Sequence, residues 1–536
     1  MTPGETSSDI QKETIFAYGG EWMRRAIESP GVYVTLFALV LILRSPTLFD
    51  SMYLVDEGYS GAIASEMLYG GDIYVTAVDM RPPFIYYTYY AVFLLFGQNN
   101  LWAVHVVAIG YILATALMVR KIGCLTTGTQ TGGWAAVGYI VFSHTYLPRD
   151  TLAANVEFFA LVPLTLSVLC FFLGVRSGKW TYLLLSGMSC ALAGFHRTPC
   201  LTQMGVFAGY FAYAFLIART LSFRATVIQG LTVLTGFSVV AAAVIGYHKI
   251  NGNWEEMVYW TWTIAMRFVN VDTTVAYVVR RLFLVHGTVI LAAGLIWYFG
   301  VRQFIASART LIRDRSASAA QEWLIFGWFA VSYVTLFTGW RFPGHYHLML
   351  MPPLALLAGR AFTAFMGRLA GETAERRRRI HRFFVAATLI PAIGFTVYAY
   401  IIRKQTLSFT PITDYIAMQT RPSDRIFVWG ASPHLYSFSN RRMAVRLTTC
   451  GYLVGMFASR PHKDIDESKW VVPGSWEMLD EDFEKHPPEL IVDVAPISSN
   501  WEDQPMSRYP RLVKHLEGYR KEATVNGADI YRRNSS

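Results

Sequence analysis

Residues 53–87, YLVDEGYSGAIASEMLYGGDIYVTAVDMRPPFIYY, form a polar segment between two strongly apolar stretches of the chain. The apolar stretches 31–49 before it and 101–119 after it are each long enough to cross a bilayer as a helix. An adjacent acidic pair, Asp56 and Glu57, comes soon after the first of these stretches. The sequence therefore predicts a long polar loop held at the surface of a membrane.

The composition of the 536-residue chain is that of a polytopic membrane protein. Hydrophobic residues make up 53% and charged residues 16%, with a mean hydropathy of +0.32, which is too apolar for a soluble globular protein. The five cysteines are scattered without a CxxC spacing, so neither a disulfide framework nor a zinc site is indicated. The last 134 residues carry 18 basic and 17 acidic side chains. We therefore expect a membrane domain over 31–402 and a soluble domain over 403–536.

Eleven apolar stretches are long enough to span a bilayer. They lie near 31–49, 101–119, 132–148, 156–174, 180–196, 199–218, 226–247, 283–301, 323–340, 346–366 and 383–402. A further stretch, 83–97, is shorter, opens with two prolines and is rich in tyrosine. These features favour a helix that lies in the membrane interface and does not cross.

The basic residues orient these spans. If 83–97 lies on the surface, 19 lysines and arginines fall on the side of residues 1–30, and only eight fall in the opposite loops. If 83–97 spanned, every later loop would invert and the positive-inside rule would be violated along most of the chain. We expect an integral plasma-membrane protein with residues 1–30 in the cytoplasm. The loop 50–100 and the domain 403–536 are then extracytoplasmic.

The sequence predicts a small α/β domain in the carboxyl-terminal region. Strand-like runs at 425–430, 443–447, 489–494 and 519–532 alternate with helical candidates. Gly430 follows a strand, but no GxGxxG motif accompanies it, so nucleotide binding is not indicated. We expect this domain to have a structural or acceptor-recognition role.

Two other clusters have ordinary explanations. The basic run Arg376–Arg379 lies on the predicted cytoplasmic side, where basic residues are expected and can contact anionic lipid headgroups. It does not indicate a nucleic-acid partner. The aromatic segment within 248–282 fits an interfacial helix that anchors the chain or walls a cavity.

Ionisable side chains collect on the predicted outer face. Asp56 and Glu57 can supply a general base at the mouth of a cavity, although a solvated helix cap at Asp56 explains that residue equally well. Other polar residues on this face are Arg81, Arg149, Asp150, Glu157, His196, Arg197, Arg341, His345, Tyr346 and His347. Arginines suit a phosphate leaving group, because a guanidinium can bond two oxygens at once.

The histidines give only a weak indication of a ligand site. A histidine beside a membrane boundary is more often an ordinary interfacial residue than a ligand. His345 and His347 would diverge by roughly 200° on a helix, and two adjacent carboxylates are not a ligand set for a divalent metal. The sequence therefore does not indicate a metal site.

The first loop resembles the lipid-linked glycosyltransferases of family 39. The resemblance rests on the acidic pair, on Gly71-Asp72, and on Arg81-Pro-Pro-Phe-Ile-Tyr-Tyr87, and it extends through Arg149-Asp150 to Glu157 and to His345-Tyr-His-Leu-Met-Leu-Met-Pro-Pro-Leu354. It covers most of residues 31–366. The family includes the protein O-mannosyltransferases and the bacterial lipid A aminoarabinose transferases, which share the C-type membrane fold.

This resemblance implies transfer of one sugar from a polyprenyl-phosphate donor to a hydroxyl of an extracytoplasmic protein, lipid or glycan, with inversion and without a required cofactor. Asp56 would be the catalytic carboxylate and Glu57 its neighbour. Arg81 takes the place usually held by lysine or histidine. The other polar residues of the outer face would contact the donor phosphate or the substrates. The sugar, hexosyl or pentosyl, is left open.

Two other classes of function stay open from the sequence. A polytopic transporter would also place ionisable groups in the membrane, but the long first loop and the soluble tail are unusual for one, and no internal repeat is evident. A polysaccharide polymerase or ligase would also use lipid-linked donors, but its decisive outer loop is expected late in the chain.

Overall fold

The computed structural model describes residues 29–49, 52–270, 272–406, 409–456, 466–499 and 501–534. The predicted cytoplasmic segment 1–30 lies almost wholly outside these residues. Helices dominate the first three quarters of the chain, and one five-stranded sheet lies near its carboxyl end.

Most of the helices before the sheet follow one another through short connections. They are Gly31–Arg44, Val55–Leu68, Phe84–Phe96, Leu101–Thr126, Thr129–Phe142, Pro148–Leu152, Val156–Ser177, Trp180–His196, Thr202–Ala212, Phe223–Ile250, Trp254–Val258, Ala265–Val269, Val275–Arg281, Gly287–Ala292, Gly294–Arg313, Ala317–Thr335, Met351–Leu369, Ala374–Thr406 and Thr410–Gln419. Several begin with a side-chain cap. Asn100, Ser222 and Ser316 each accept a hydrogen bond from the amide three residues on, which satisfies an otherwise unpaired donor.

Eight helical segments of the described chain are long and apolar enough to cross a membrane. They are Gly31–Leu48, Leu101–Thr126, Val156–Ser177, Thr198–Ile217, Phe223–Ile250, Val275–Ala292, Gly344–Leu369 and Ala374–Ile402. The protein is thus a multi-pass membrane protein by the length and composition of its helices. The predicted number of eleven spans is not confirmed, because helices such as Thr129–Phe142 and Trp180–His196 have only 14 and 17 residues.

One predicted span differs in its boundaries. The stretch 283–301 is divided between two helices, because the helical backbone is interrupted at Ala293, with φ −108° and ψ 29°. Gly294 follows at once, and glycine is among the poorest helix formers. The apolar sequence runs through this break, so apolarity alone could not locate it.

The tyrosine-rich stretch forms the helix Phe84–Phe96, which has 13 residues. At about 1.5 Å per residue it measures roughly 20 Å, shorter than the roughly 30 Å hydrocarbon core of a bilayer. Its length agrees with the prediction that it does not span. The orientation of the two termini stays a prediction.

The carboxyl-terminal sheet contains β1 (Arg425–Trp429), β2 (Arg442–Met443), β3 (Leu490–Asp493), β4 (Tyr519–Val525) and β5 (Ala528–Arg533) in the order β2-β1-β3-β5-β4. The first three strands are parallel, and β5 pairs antiparallel with β3 and β4. The helices His434–Ser439, Gly451–Val454, Ser475–Lys485 and Pro510–Leu516 lie between the strands in sequence. The predicted α/β character of this region is therefore confirmed.

The predicted strand 443–447 is shorter than expected, since β2 ends at Met443. Beyond it the chain turns to the first loop. The amide of Val78 donates to the carbonyl of Arg446 at 2.9 Å, and the hydroxyl of Thr448 donates to the carbonyl of Val78 at 2.7 Å. Residues 445–448 therefore pair with the first loop and not with the sheet.

A buried carboxylate fastens the sheet to the helix Val55–Leu68. Glu66 is 2% exposed. It accepts hydrogen bonds from the guanidinium of Arg442 at 2.8 Å and from the amide of Met443 at 3.1 Å. The carboxyl-terminal sheet and the first loop consequently share one continuous apolar core.

We predict that Glu66→Ala lowers the free energy of unfolding by about 3 kcal/mol, because it leaves a partly buried guanidinium without its partner. Thermal unfolding of the purified protein in detergent measures the change. Glu481→Ala is the control, because Glu481 pairs with Arg446 at the surface, where an ion pair contributes about 1 kcal/mol or less. Equal effects of the two substitutions would contradict the role assigned to Glu66.

Candidate active site

Asp56 lies in the first turn of the helix Val55–Leu68, with a quarter of its side chain exposed. Nη2 of Arg81 donates to Oδ1 of Asp56 at 2.7 Å. Nη1 of Arg81 donates to Asp79, so this one guanidinium holds two carboxylates. Burial lowers the pKa of Arg81, but the charges of Asp56 and Asp79 outweigh this effect and raise it well above the ordinary value. Arg81 therefore stays a cation at any physiological pH.

Asp79 is the residue that anchors this pair. Its side chain is almost fully buried and accepts hydrogen bonds from the hydroxyl of Tyr86 at 2.8 Å and the hydroxyl of Tyr452 at 3.0 Å. Asp79 was not among the predicted site residues, although its place two residues before Arg81 could have indicated it. Tyr452 comes from the carboxyl-terminal region, and nothing in the sequence links it to the first loop.

A histidine lies on the other side of Asp56. Nε2 of His345 is 4.0 Å from Oδ2 of Asp56. Asp150 accepts hydrogen bonds from Nδ1 of His345 at 2.8 Å and from its backbone amide at 2.9 Å. Burial would raise the pKa of Asp150, but the hydrogen bond and charge of His345 lower it below the ordinary value. Asp150 thus fixes the ring so that Nε2 points toward Asp56.

Glu57 points in the opposite direction, into the protein. It is 1% exposed and accepts hydrogen bonds from the amides of Tyr53 at 2.7 Å, Leu54 at 3.0 Å and Ala154 at 2.7 Å. Nε2 of His105 lies 3.1 Å from its Oε1. Burial raises the pKa of Glu57, but His105 and the backbone donors more than offset it, so the net shift is downward. The carboxylate therefore ties the start of the first-loop helix to the segment before Val156–Ser177.

Arg197 and Glu157 form a second buried pair. Both side chains are largely buried and in direct contact. The guanidinium of Arg197 lies 4.0 Å from the ring centre of Tyr346, and it interacts electrostatically with both Arg81 and Asp56. The structure therefore places Arg197, Glu157 and Tyr346 beside the Asp56 cluster.

Arg341 is a buried cation of a different kind. It is 4% exposed, donates to the carbonyl of Phe268 at 2.6 Å, and lies 4.4 Å from the ring centre of that residue. No carboxylate of the described residues is paired with it, and its Nε and Nη1 atoms have no hydrogen-bond partner there. Burial lowers the pKa of Arg341, and its interaction with Tyr346 offsets only part of this effect, so the net shift is downward. Tyr346 is the same residue whose ring lies 4.0 Å from the guanidinium of Arg197.

The backbone around Arg341 is strained. Trp340 and Phe342 both have positive φ values, 55° and 47°. Bulky residues in this region cost of order 1–3 kcal/mol each, and such residues cluster at functional sites. Leu147, three residues before Asp150, has a φ of 37° as well. The turns that carry Arg341 and Asp150 therefore have unfavourable backbone conformations. Contacts with the rest of the structure must stabilise them.

Three other predicted residues have different surroundings. His347 is buried, and its Nε2 lies 3.0 Å from Nδ1 of His286. His196 packs against the aromatic helix, where its ring contacts Phe84. Arg149 is exposed. His345 and His347 diverge, as their spacing predicts for a helical segment. Within the described residues, no three His, Cys, Asp or Glu side chains are grouped to hold a metal ion.

The aromatic segment after residue 253 is helical and packs against the carboxyl-terminal region. Trp260 is buried, and its ring centre lies 5.1 Å from that of Tyr452. A cavity of about 350 Å³ opens here, lined by Tyr74, Val75, Val78, Glu255, Glu256, Tyr259, Trp260, Arg446 and Met478. Aromatic rings beside carboxylates form a surface suited to a polar ring-shaped ligand such as a sugar.

No family model and no curated protein matches the chain. Solved structures match nearly all of it. ArnT from Cupriavidus metallidurans bound to undecaprenyl phosphate has a TM-score of 0.62 at 14% identity, covering 95% of this chain and 99% of that one. The oligosaccharyltransferase AglB from Archaeoglobus fulgidus, in complex with an inhibitory peptide and a dolichol-phosphate, has a TM-score of 0.54 at 12% identity, covering 94% of this chain and 74% of that one.

The fold is therefore that of the C-type membrane glycosyltransferases, to which both of these proteins belong. The structural resemblance predicted from the first loop is confirmed. At these low identities the likeness concerns the fold.

We predict that Glu57→Gln lowers the free energy of unfolding by about 2 kcal/mol or more, because the amide group cannot accept all the hydrogen bonds that the buried carboxylate accepts. Since the pKa of Glu57 is lowered by folding, its contribution is complete above the unfolded pKa of about 4.3 and is lost as the pH falls through the lower folded value. Thermal unfolding at pH 7 and at pH 4 measures both effects.

The exposed residue Glu484 provides the control substitution, Glu484→Gln. The difference in Tm between wild type and Glu57→Gln should shrink at the lower pH, whereas the control should match wild type at both. A Glu57→Gln protein with wild-type Tm at pH 7 would show that the carboxylate is not a structural clamp.

Proposed function

We propose that the protein is a membrane glycosyltransferase that moves one sugar from a polyprenyl-phosphate-linked donor to a hydroxyl of an extracytoplasmic acceptor. The observation that carries this proposal is a partly exposed carboxylate, Asp56, that is bound by the partly buried Arg81 and lies near the buried Arg197 in a C-type fold. The bound undecaprenyl phosphate of ArnT and the dolichol-phosphate of AglB support a donor of this class. Protein, lipid and glycan acceptors all fit this chemistry.

Asp56 acts as the general base in this proposal. The acceptor hydroxyl attacks the anomeric carbon while its proton passes to Oδ2 of Asp56, the oxygen that Arg81 does not bind. The bond from the anomeric carbon to the phosphate oxygen breaks, and its electron pair leaves with the phosphate, which gains one negative charge. Attack from the face opposite the leaving group inverts the anomeric centre. In this proposal His345, which Asp150 holds in place, helps to orient the acceptor hydroxyl next to Oδ2 of Asp56.

The added charge on the phosphate needs a cation that is not already neutralised. Arg81 is shared by two carboxylates, so we assign it to positioning Asp56 rather than to the phosphate. Arg341 has unfilled donor atoms in a buried place and no carboxylate partner among the described residues. It is the better phosphate ligand, with Arg197 beside it. A preorganised donor of this kind contributes about 3–4 kcal/mol to transition-state stabilisation.

Glu57 is a positioning residue in this scheme. Its oxygens are engaged by backbone amides and by His105, and none faces Asp56 or solvent. Glu57 holds the amino end of the helix Val55–Leu68, so it sets where Asp56 projects. We assign the cavity beside Trp260 to acceptor recognition, since its rings and carboxylates lie next to the loop that carries Asp79 and Arg81.

We predict that Asp56→Asn reduces sugar transfer at least about 100-fold, the lower range for loss of a general base. The measurement is release of radiolabelled sugar by the purified protein from a panel of polyprenyl-phosphate-linked sugars, with membrane extract as acceptor. Binding of the donor should be retained, because Asn has nearly the same size. Asp72→Asn, which alters an exposed carboxylate of the same loop, should keep wild-type turnover.

Full turnover of the Asp56→Asn protein would remove Asp56 from the base role. Absence of turnover by the wild-type protein with every donor would instead favour a polytopic transporter, and uptake of labelled substrate into proteoliposomes would then be the next assay.

We predict that Arg341→Gln lowers turnover by about 100- to 1,000-fold, the range for loss of one preorganised charge-stabilising donor. The same substitution should leave Tm unchanged or raise it, because it removes a buried charge without a carboxylate partner. Turnover and thermal unfolding of one preparation measure both. Arg280→Gln, at an exposed arginine of the helix Val275–Arg281, should change neither. A large fall in Tm would instead make Arg341 a structural residue.

A further inference from the structure

A second large cavity lies among four helices, away from Asp56. Its volume is about 690 Å³, within the range of roughly 300–1,000 Å³ that small ligands occupy. Its walls come from Thr129–Phe142, Gly294–Arg313, Met351–Leu369 and Ala374–Thr406, and they are almost entirely hydrocarbon. An occupant of this cavity must therefore be largely apolar.

The cavity is elongated along the helices and has two different ends. On the helix Ala374–Thr406 its lining runs from Arg378 to Leu389, which is about 16 Å at 1.5 Å per residue. Trp134, whose ring centre lies 4.9 Å from that of Phe362, lies toward the Arg378 end. Toward Leu389 the lining is apolar apart from Thr388. The shape is that of a slot suited to an extended chain.

The Arg378 end of the slot is cationic. Arg378, His381 and Arg382 all line the cavity, because positions i, i+3 and i+4 share one face of a helix. Two neighbouring arginines face elsewhere, since Arg376 and Arg379 pair with exposed acids one turn before them, at 2.9 and 3.0 Å. The two arginines of the cavity face are thus placed at the mouth of an apolar slot.

This cationic end lies far from the candidate active site. At the other end of the same helix, Ala399 and Ile402 pack against Tyr53 and Leu152, next to Asp56 and Asp150. From Arg378 to Ala399 the helix rises about 31 Å, which matches the thickness of a hydrocarbon core. Arg378 and Arg382 therefore lie at the membrane face opposite Asp56, and they cannot serve the donor phosphate there.

We propose that this slot binds an anionic glycerophospholipid of the leaflet opposite the active site, with one acyl chain between the helices and its phosphate on Arg378 and Arg382. Basic pockets between membrane helices bind anionic headgroups, and the charge at the mouth favours anionic over zwitterionic lipids. The apolar lining supplies the contact for the chain. The site is separate from the proposed sugar transfer and does not depend on it.

The test is native mass spectrometry of the protein with added phosphatidylglycerol or phosphatidylcholine. The wild-type protein should hold one phosphatidylglycerol more tightly than phosphatidylcholine. Arg378→Gln/Arg382→Gln should weaken phosphatidylglycerol binding roughly tenfold or more. The matched control is Arg376→Gln/Arg379→Gln, which removes the same charge from the same helix outside the slot and should keep the binding.

A second pair of variants tests the slot itself. Ala386 lines the cavity, so Ala386→Trp should fill it. Ile390 does not line the cavity, so Ile390→Trp adds the same ring outside it; both positions are exposed. Only the first should abolish the bound phosphatidylglycerol. Equal loss of phosphatidylglycerol binding in both arginine double variants would show that binding depends only on the general surface charge. Displacement of the lipid by polyprenyl phosphate at equal concentration would make the slot a donor-lipid site. Either outcome would overturn the proposal.

Discussion

A single guanidinium, that of Arg81, holds together two carboxylates that would otherwise repel each other at the edge of the membrane. Asp56 on one side is partly open to solvent, and Asp79 on the other is almost fully buried. Because Asp79 is also bound by Tyr86 and Tyr452, the position of Asp56 depends on the aromatic helix and on the carboxyl-terminal region at once. Asp56 is thus positioned by three separate parts of the chain, and a shift in any of them moves it.

Ionisable groups at membrane depth are costly unless each has a partner. Most of those in this protein have one: Glu57 has backbone amides and His105, Glu157 has Arg197, and Glu322 has Arg360. Arg341 has no carboxylate partner among the described residues, and its charge is buried against a carbonyl and a ring in a strained turn. A cation left in this state is the feature that most directly indicates an anionic ligand.

The sequence predicts much of this arrangement and misses some of it for physical reasons. Asp56, Arg81, Asp150 and His345 could be grouped because topology places them on one face, and the structure brings these four together. The opposite directions of Asp56 and Glu57 could not be foreseen, since adjacent helical residues differ by about 100° and their partners are distant in sequence.

Two other differences between the prediction and the structure have the same origin. His347 bonds a histidine of another helix, and the strand predicted over 443–447 is shortened because the first loop competes for its backbone. In each case a contact with residues distant in the sequence determines the local structure.

The bond between Tyr452 and Asp79 joins residues 373 positions apart. A ribosome adding about 5–20 residues per second needs roughly 20–75 s to cover that distance. Until Tyr452 has been synthesised, Asp79 lacks one of the two hydroxyls that bind it. A nascent chain shorter than 452 residues therefore cannot have the complete Asp56 arrangement.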